Sequence, residues 1–246
     1  MNETIETILN HRSIRSFTDE ALTNEQIDTI VETALMASTS SFMHAYSIIG
    51  ITDQKKKDQL AEVSGQHYVK ENGHMMIFCA DLSRFSRMGR DNEVEEMKTN
   101  FESTEHLLVS SIDAALAAQN AAIAAESMGL GICYIGSLRN DIARVDSLLE
   151  LPQHVIPLFG MVFGHPNANT EKKPRLPKEA VYHENRYDPE QDKYIEAFDK
   201  KIAAYYAKRK QNARQDTWSD QMTRRFKKPI RLDVTDYVQR KGFNKR

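Results

Sequence analysis

Side chains able to bind an anion are concentrated near the start of the chain. The opening segment, His11-Arg12-Ser13-Ile14-Arg15-Ser16, offers two guanidinium groups, two hydroxyls and an imidazole within six residues. These donors suit a phosphate group, which accepts charge-assisted hydrogen bonds from several directions. An ordinary solvated loop at a helix end has the same composition, so the spacing alone leaves both interpretations open.

Four other segments carry groups of the same kind. Lys173-Pro174-Arg175-Leu176-Pro177 holds two cations on a backbone that its prolines stiffen. Tyr134-Ile135-Gly136-Ser137 ends an apolar run at a glycine, where free N–H groups could face a ligand. Ser38-Thr39-Ser40-Ser41-Phe42 joins hydroxyls to an aromatic ring, and Gln66 follows a helix stop. A basic linker, a tight turn or core packing would explain each segment equally well.

Familiar catalytic motifs are absent from the sequence. It contains no GxGxxG, GxxxxGK[ST], GxSxG or HExxH, which removes the common dinucleotide, P-loop, hydrolase and zincin signatures. Cys79 and Cys133 lie in apolar runs without CxxC spacing. We therefore predict neither a disulfide nor a metal site, and no catalytic thiol.

Charge is distributed unevenly along the chain. The net charge is -2, but residues 208–246 hold 13 Lys and Arg against 4 Asp and Glu, which is +9 and leaves -11 on residues 1–207. The basic end could bind an anionic partner, or it could neutralise an acidic body, its own or that of a partner subunit. Acidic stretches interrupt the basic residues and no nucleic-acid-binding signature occurs, so we expect no nucleic-acid binding.

Apolar residues are spread in a way that predicts a cytoplasmic protein. No run of 18 apolar residues occurs, and the start, MNETIETILNHRSIR, has acidic residues and no apolar stretch of the kind found in signal peptides. We therefore expect neither a membrane span nor a secretory signal.

Hydrophobic periodicity predicts an α+β fold, because helices and strands mix without a regular βαβ repeat. Thr23 and Gln26 have the spacing of a capping box. Residues 104–128 are so rich in alanine that this helix must pack closely on several sides, and Gly129 is expected to end it. The other predicted elements of this part are helices over residues 3–9 and 53–63, a helix that follows GSLRND and ends at Leu149, and strands over residues 47–51, 74–80, 132–135 and 157–163.

Composition changes after Gly164, where HPNANTEKKPRLP reads as an extended loop. Helices are predicted over residues 194–207 and 217–226, followed by a polar end. Residues 1–165 are thus predicted to form the core, and residues 166–246 a loop and helical extension of the same domain. Such an extension must lie on the core or on a second subunit, because it buries little apolar surface alone.

Several long phrases, in the same order, resemble the flavin-dependent nitroreductases, in particular the oxygen-insensitive NADPH nitroreductase and NADPH-flavin reductase group. They cover nearly the whole chain, although residues 85–102 look longer than in the shortest members and KKPIRLDV matches loosely, which leaves the substrate channel less well predicted than the flavin site. The phrases are HRSIRSFTDE, STSSF, YSIIGITD, AAQNAAIAAESMGLG, YIGSLRN, LPQHVIPLFG, KPRLP and RQDTWSD.

This resemblance implies an α+β homodimer with a mixed, mainly antiparallel sheet flanked by helices. Two FMN molecules would bind at the subunit interface, and the C-terminal extension would wrap the partner subunit. The residues that the resemblance places at FMN are His11, Arg12, Ser13, Ile14, Arg15, Ser40, Gln66, Tyr134, Ile135, Gly136, Ser137, Lys173 and Arg175.

The resemblance also implies a ping-pong reaction. NADPH would give a hydride to the flavin and leave, and a nitroaromatic, quinone or free flavin would then take two electrons at the same face. Arg209 and Arg214 would hold the 2′-phosphate of NADPH, with Arg231 in the same pocket, and Ser41 and Phe42 would contact the acceptor or NADPH. The alternatives are a dedicated flavin reductase that hands reduced FMN to a partner protein, and a non-catalytic module that binds anions or nucleic acid.

Overall fold

The chain was analysed as a computed structural model that describes residues 1–168, 170–209 and 214–246. It divides into two compact units. The first comprises Met1–Thr170 together with Arg231–Arg246, and the second comprises Glu171–Ile230. The division into a core over residues 1–165 and an extension over residues 166–246 stays a prediction.

A four-stranded antiparallel sheet with helices on both faces forms the first unit, which confirms the α+β class. The strands are β1 Tyr46–Ile51, β2 His74–Asp81, β3 Gly131–Ile135 and β4 Val155–Gly164, in the order β1-β2-β4-β3. The described α-helices of both units are α1 Glu3–Leu9, α2 Asn24–Leu35, α3 Gln54–Ser64, α4 Asp91–Phe101, α5 Thr104–Ser127, α6 Ile142–Leu149, α7 Asp192–Ala207, α8 Trp218–Phe226 and α9 Asp233–Arg240.

Local sequence signals set several of these boundaries. The Thr23 hydroxyl accepts a hydrogen bond from the Gln26 N–H at 3.2 Å, and the Gln26 side chain accepts one from the Thr23 N–H at 2.9 Å. The predicted capping box at the start of α2 is therefore confirmed. After α5, Gly129 has a φ of 77°, the left-handed conformation that glycine adopts without steric cost.

The alanine-rich helix α5 fills the layer between the sheet and α2. Six of its alanines, at positions 114, 117, 118, 121, 122 and 125, are fully or almost fully buried. They share a hydrophobic cluster with Ile30 of α2 and with Met76 and Phe78 of β2. By length and composition α5 could also cross a membrane. Its buried alanines show instead that it serves as a core helix, whose small side chains allow close packing.

The opposite face of the sheet packs against α3 and α6. Alternate residues of β2, Met75, Ile77 and Cys79, belong to this second cluster, together with Leu60 of α3 and Val145 of α6. The alternation follows from the strand period of two. β2 is therefore buried on both faces.

Two stretches form helices that the sequence did not predict. Residues 85–102, which had no assigned role, contain a short 3-10 helix, Phe85–Arg87, and α4. The polar end, to which no element was assigned, forms α9 and buries Tyr237 and Val238. With only eight residues and few apolar positions, α9 gives a weak periodic signal, and its position depends on packing in the first unit.

The second unit has a small core of its own. Phe198, Ile202 and Tyr206 of α7 are buried together, and Trp218 of α8 lies edge-on to Phe198 with ring centroids 5.9 Å apart. The helices predicted over residues 194–207 and 217–226 are confirmed as α7 and α8. Asn169, within the predicted extended loop, lies outside the described residues.

A buried histidine and a buried lysine lie together at one end of β2. Lys57 donates hydrogen bonds to the backbone oxygen and side-chain oxygen of Asn72 at 3.3 and 3.2 Å. Burial, reinforced by the charge of Lys57, lowers the pKa of His74 to about 4. His74 is only 5% exposed, and its neutral form is the one that the fold accommodates.

We predict that this histidine makes folding pH-dependent. The folded pKa is below the ordinary value of about 6.5, so the unfolded chain binds the extra proton and stability falls as pH drops from 6.5 towards 4. Between pH 7.5 and pH 5 the free energy of unfolding should lose about 2 kcal/mol through His74. Urea unfolding at several pH values measures this loss.

The variant His74→Gln should lack this part of the pH dependence, whatever its absolute stability. His67→Gln, which removes an exposed histidine, is the matched control and should keep the wild-type slope. Equal pH slopes in wild type and His74→Gln would contradict the prediction.

Candidate functional site

The opening segment runs alongside β3. The Ile14 N–H donates to the Ile132 carbonyl at 2.9 Å, and Ser13 forms an isolated parallel bridge with Ile132. Gly131 permits this approach, since a Cβ there would lie 2.7 Å from a side-chain carbon of Ile14. Because the two stretches run in parallel, Arg15 lies further towards the C-terminal end of β3 than Ser13 does. Two of the five predicted segments therefore meet here.

The Gln66 segment joins the same place through Tyr68. The Cys133 thiol lies 3.8 Å from the Tyr68 hydroxyl, which also hydrogen-bonds to Arg15. Burial raises the pKa of Cys133, and the Arg15 charge offsets only part of that shift. The thiol therefore stays protonated near neutral pH and is a packing group, not a nucleophile.

The two arginines of the opening segment have no acidic partner among the described residues. Arg12 donates to the Asn10 carbonyl at 3.1 Å and Arg15 donates to the Ser13 carbonyl at 3.5 Å. Within residues 1–168, 170–209 and 214–246, neither guanidinium forms an ion pair. Both groups can therefore bind an external anion without first breaking a salt bridge.

His11 differs from the two arginines. Its Nδ1 lies 2.8 Å from Oε1 of Glu126, near the end of α5. The Glu126 side chain is mostly buried, at 13% exposure. This contact fixes the ring and leaves Nε2 as the nitrogen able to meet a ligand.

The turn after β3 carries two more cations. Gly136 begins the 3-10 helix Gly136–Asp141, and Arg139 in that helix donates a short hydrogen bond to the Leu158 carbonyl. Arg231 donates two hydrogen bonds, at 3.0 and 2.9 Å, to the side-chain oxygen of Asn140. Burial, and then the nearby charge of Arg231, lower the pKa of Arg139. Two guanidinium groups, those of Arg139 and Arg231, therefore lie near each other at this turn.

The serine loop, residues 39–45, is held by a different part of the fold. The Ser40 N–H donates to one oxygen of Asp113 at 2.9 Å, and the Ala45 N–H donates to the other at 3.1 Å. These bonds attach the loop to α5 rather than to the opening segment. Phe42 is 83% exposed, so core packing, one of the two interpretations of this ring, was wrong.

The predicted basic residues of the second unit gather at two tyrosines. Lys173 lies over the Tyr206 ring at 5.7 Å and Arg214 lies over it at 4.9 Å, while Arg209 lies over Tyr205 at 5.7 Å. These are cation–π distances, and they hold the cations in defined positions. Nearby, Arg175 donates to the carbonyl of Lys173 at 2.8 Å.

Four residues that contribute to this arrangement were missed from the sequence: Tyr68, Asp113, Glu126 and Arg139. Asp113 had a usable signal, because it is the one charged residue in the otherwise apolar or neutral stretch 107–125. Tyr68 and Arg139 had none, since their roles depend on contacts with residues distant in the chain.

The donors of the first unit suit a ligand that carries both an anionic group and a ring with polar atoms along its edge. Guanidiniums can meet a phosphate, the amide of Gln66 can meet a ring edge, and the turn at Gly136 offers backbone N–H groups. Across the described ranges no group of three or more His, Cys, Asp or Glu side chains could hold a metal ion.

The chain matches two family descriptions and a known enzyme of similar sequence. Residues 8–165 match the description "Nitroreductase family", and residues 173–246 match "Nitroreductase family, C-terminal domain". The chain is 54% identical to an FMN reductase (NADPH) of Bacillus subtilis, with both proteins covered in full.

Solved structures give the same result. A nitroreductase from Bacillus subtilis has a TM-score of 0.95 at 53% identity, with 99% of this chain and 100% of that chain covered. An NADPH:FMN oxidoreductase from Vibrio harveyi, solved with NAD⁺, has a TM-score of 0.90 at 41% identity, with both chains covered in full.

Proposed function

The chain belongs to the nitroreductase family, and we propose that it binds FMN and passes two electrons from NADPH to nitroaromatics, quinones or free flavin. The observation that carries this proposal is the pair of guanidiniums, Arg12 and Arg15, on the segment that runs alongside β3, without an acidic partner in the described residues. The names of two relatives supply the cofactor and the donor.

Each donor in the first unit has a proposed task. Arg12 and Ser13 would bind the phosphate side of FMN, and Arg15 would lie at the ring edge that becomes negative on reduction, where a cation stabilises the reduced state. Gln66 would bind the pyrimidine edge, and backbone N–H groups near Gly136 would orient the reactive side. When bound, FMN itself supplies the hydride chemistry, so no side-chain nucleophile or base is required.

The Lys173 segment and the serine loop also have proposed tasks. Lys173 and Arg175 would bind the phosphate of FMN, and Ser40 would contact the cofactor from the serine loop. Ser41 and Phe42 would contact the acceptor or NADPH. The large exposed surface of Phe42 supports this role, because an aromatic acceptor can stack on it.

A row of exposed apolar side chains supports a homodimer. Leu108, Ile112 and Leu116 follow each other at intervals of four on α5, and each is about half exposed. Ile5 and Ile8 of α1 are similarly exposed. A second copy of the chain would cover this surface, and the extension would wrap that partner.

Breaking this surface should therefore separate the subunits. The variant Ile112→Glu buries a charge at the proposed interface and should sediment as a monomer that has lost most of its FMN, because each site would lack the partner's residues. Sedimentation velocity measures the mass. Lys55→Glu, at an exposed position on α3, is the control and should stay dimeric. A wild-type protein that is monomeric with FMN bound would refute the dimer.

By its likeness to the nitroreductases, we propose that the chain is a soluble protein of the cytoplasm. Cell fractionation tests this inference, and recovery in the membrane or secreted fraction would refute it.

NADPH preference is assigned to Arg209 and Arg214, with Arg231 as a further contact. The double variant Arg209→Ala with Arg214→Ala should raise the KM for NADPH about 10- to 100-fold, because two charge-assisted contacts to the 2′-phosphate are lost. The KM for NADH, which lacks that phosphate, should change much less. Arg225→Ala on α8 is the matched control. Equal effects on the two donors would remove the phosphate assignment.

The visible spectrum tests the function directly. Purified, desalted protein should show flavin bands that bleach when NADPH is added without oxygen and return when benzoquinone is added. A colourless protein that neither takes up FMN nor consumes NADPH would overturn the proposal.

A dedicated flavin reductase is the second candidate, because the relative of 54% identity is named FMN reductase (NADPH). Turnover with free FMN, compared with nitrofurazone and benzoquinone, separates the two functions. A much higher kcat/KM for free FMN would favour the flavin reductase.

A further inference from the structure

The serine loop has an unfavourable backbone conformation. Ser41, Phe42 and His44 have φ values of 48°, 58° and 49°, the left-handed region that residues with a side chain rarely adopt. Three such residues within four positions persist only when surrounding groups hold them. The loop therefore needs an external restraint.

Two side chains of opposite charge provide that restraint. Asp113, fully buried on α5, accepts hydrogen bonds from the N–H groups of Ser40 and Ala45, one with each oxygen. Arg84 donates to the carbonyls of His44 and Tyr46 at 2.7 and 3.1 Å. The carboxylate thus accepts hydrogen bonds from two N–H groups of the loop. The guanidinium donates hydrogen bonds to one carbonyl of the loop and to the first carbonyl of β1.

A buried carboxylate is costly unless hydrogen bonds compensate it. Both oxygens of Asp113 are used on the loop, and the two contacted residues are separated by the left-handed stretch. An asparagine could accept only one of these bonds, because its NH₂ group would face the other N–H. The charge is therefore matched to two backbone donors of this loop.

We propose that Asp113 and Arg84 are positioning residues for acceptor binding: they hold the serine loop in the conformation that presents Phe42 to the acceptor. The inference rests on the proposed function, since it concerns the acceptor step of that reaction. Without the restraint, the loop relaxes to ordinary backbone conformations and Phe42 no longer has a fixed place.

The test is a double-mutant cycle on the holoenzyme. In stopped flow, FMN is reduced with NADPH and then reoxidised with benzoquinone. Asp113→Asn is expected to raise the benzoquinone concentration for half-maximal reoxidation about tenfold. FMN content should change less than about threefold, because Ser40 is the one residue of this loop among the proposed FMN contacts and the other contacts remain. The rate of bleaching by NADPH should also change less than about threefold. In the Phe42→Ala background, Asp113→Asn should have almost no further effect, because its target is gone.

A further variant separates positioning from general damage to the fold. Ser110→Ala removes another fully buried polar group of α5, whose hydroxyl bonds to carbonyls of its own helix, and it should behave like wild type.

The outcomes are distinct. Non-additivity with Phe42→Ala supports the inference. It is overturned if Asp113→Asn behaves like Ser110→Ala, or if its effect adds to that of Phe42→Ala. If Asp113→Asn yields no folded holoenzyme, the same cycle with Arg84→Gln decides by the same criteria. A wild-type enzyme that NADPH does not bleach refutes the proposed function instead.

Discussion

The close packing of α5 between the sheet and α2 is the interaction on which the other features depend. Its buried alanines bring the helix backbone near both neighbours, so side chains that leave the helix reach several parts of the site. Asp113 holds the serine loop, Gln119 accepts from the Tyr134 hydroxyl at 3.4 Å, and Glu126 fixes His11. A shift of this one helix would move three separate contacts together.

In the first unit, the acidic side chains and the arginines near the site have different kinds of partner. Carboxylates that contact the site are used on protein groups: Asp113 on backbone N–H groups and Glu126 on an imidazole. The guanidinium of Arg12 bonds to the Asn10 carbonyl, and that of Arg15 bonds to the Ser13 carbonyl and the Tyr68 hydroxyl; neither forms an ion pair among the described residues. An anion therefore meets donors that are already oriented, so these side chains lose less conformational entropy when the anion binds.

Sequence patterns predicted the long elements well because their signals are local. The capping box at Thr23, the alanine run of α5 and the glycine stop at Gly129 each depend on neighbouring residues, and all three were confirmed. The helix α9 and the roles of Tyr68 and Arg139 depend on residues far away in the chain, so no local pattern contains them. The assignment of individual residues to FMN and NADPH came from family resemblance and stays a prediction.

The chain path through the first unit has a consequence for biosynthesis. Tyr237 and Phe243 are buried in one cluster with Leu82 and Phe101, yet the 60 residues of Glu171–Ile230 are synthesised between Thr170 and the return at Arg231. At about 5–20 residues per second, the ribosome needs about 3–12 s to make them. During that interval the nascent core exposes an apolar patch that only later residues can cover, which makes it a natural substrate for chaperones.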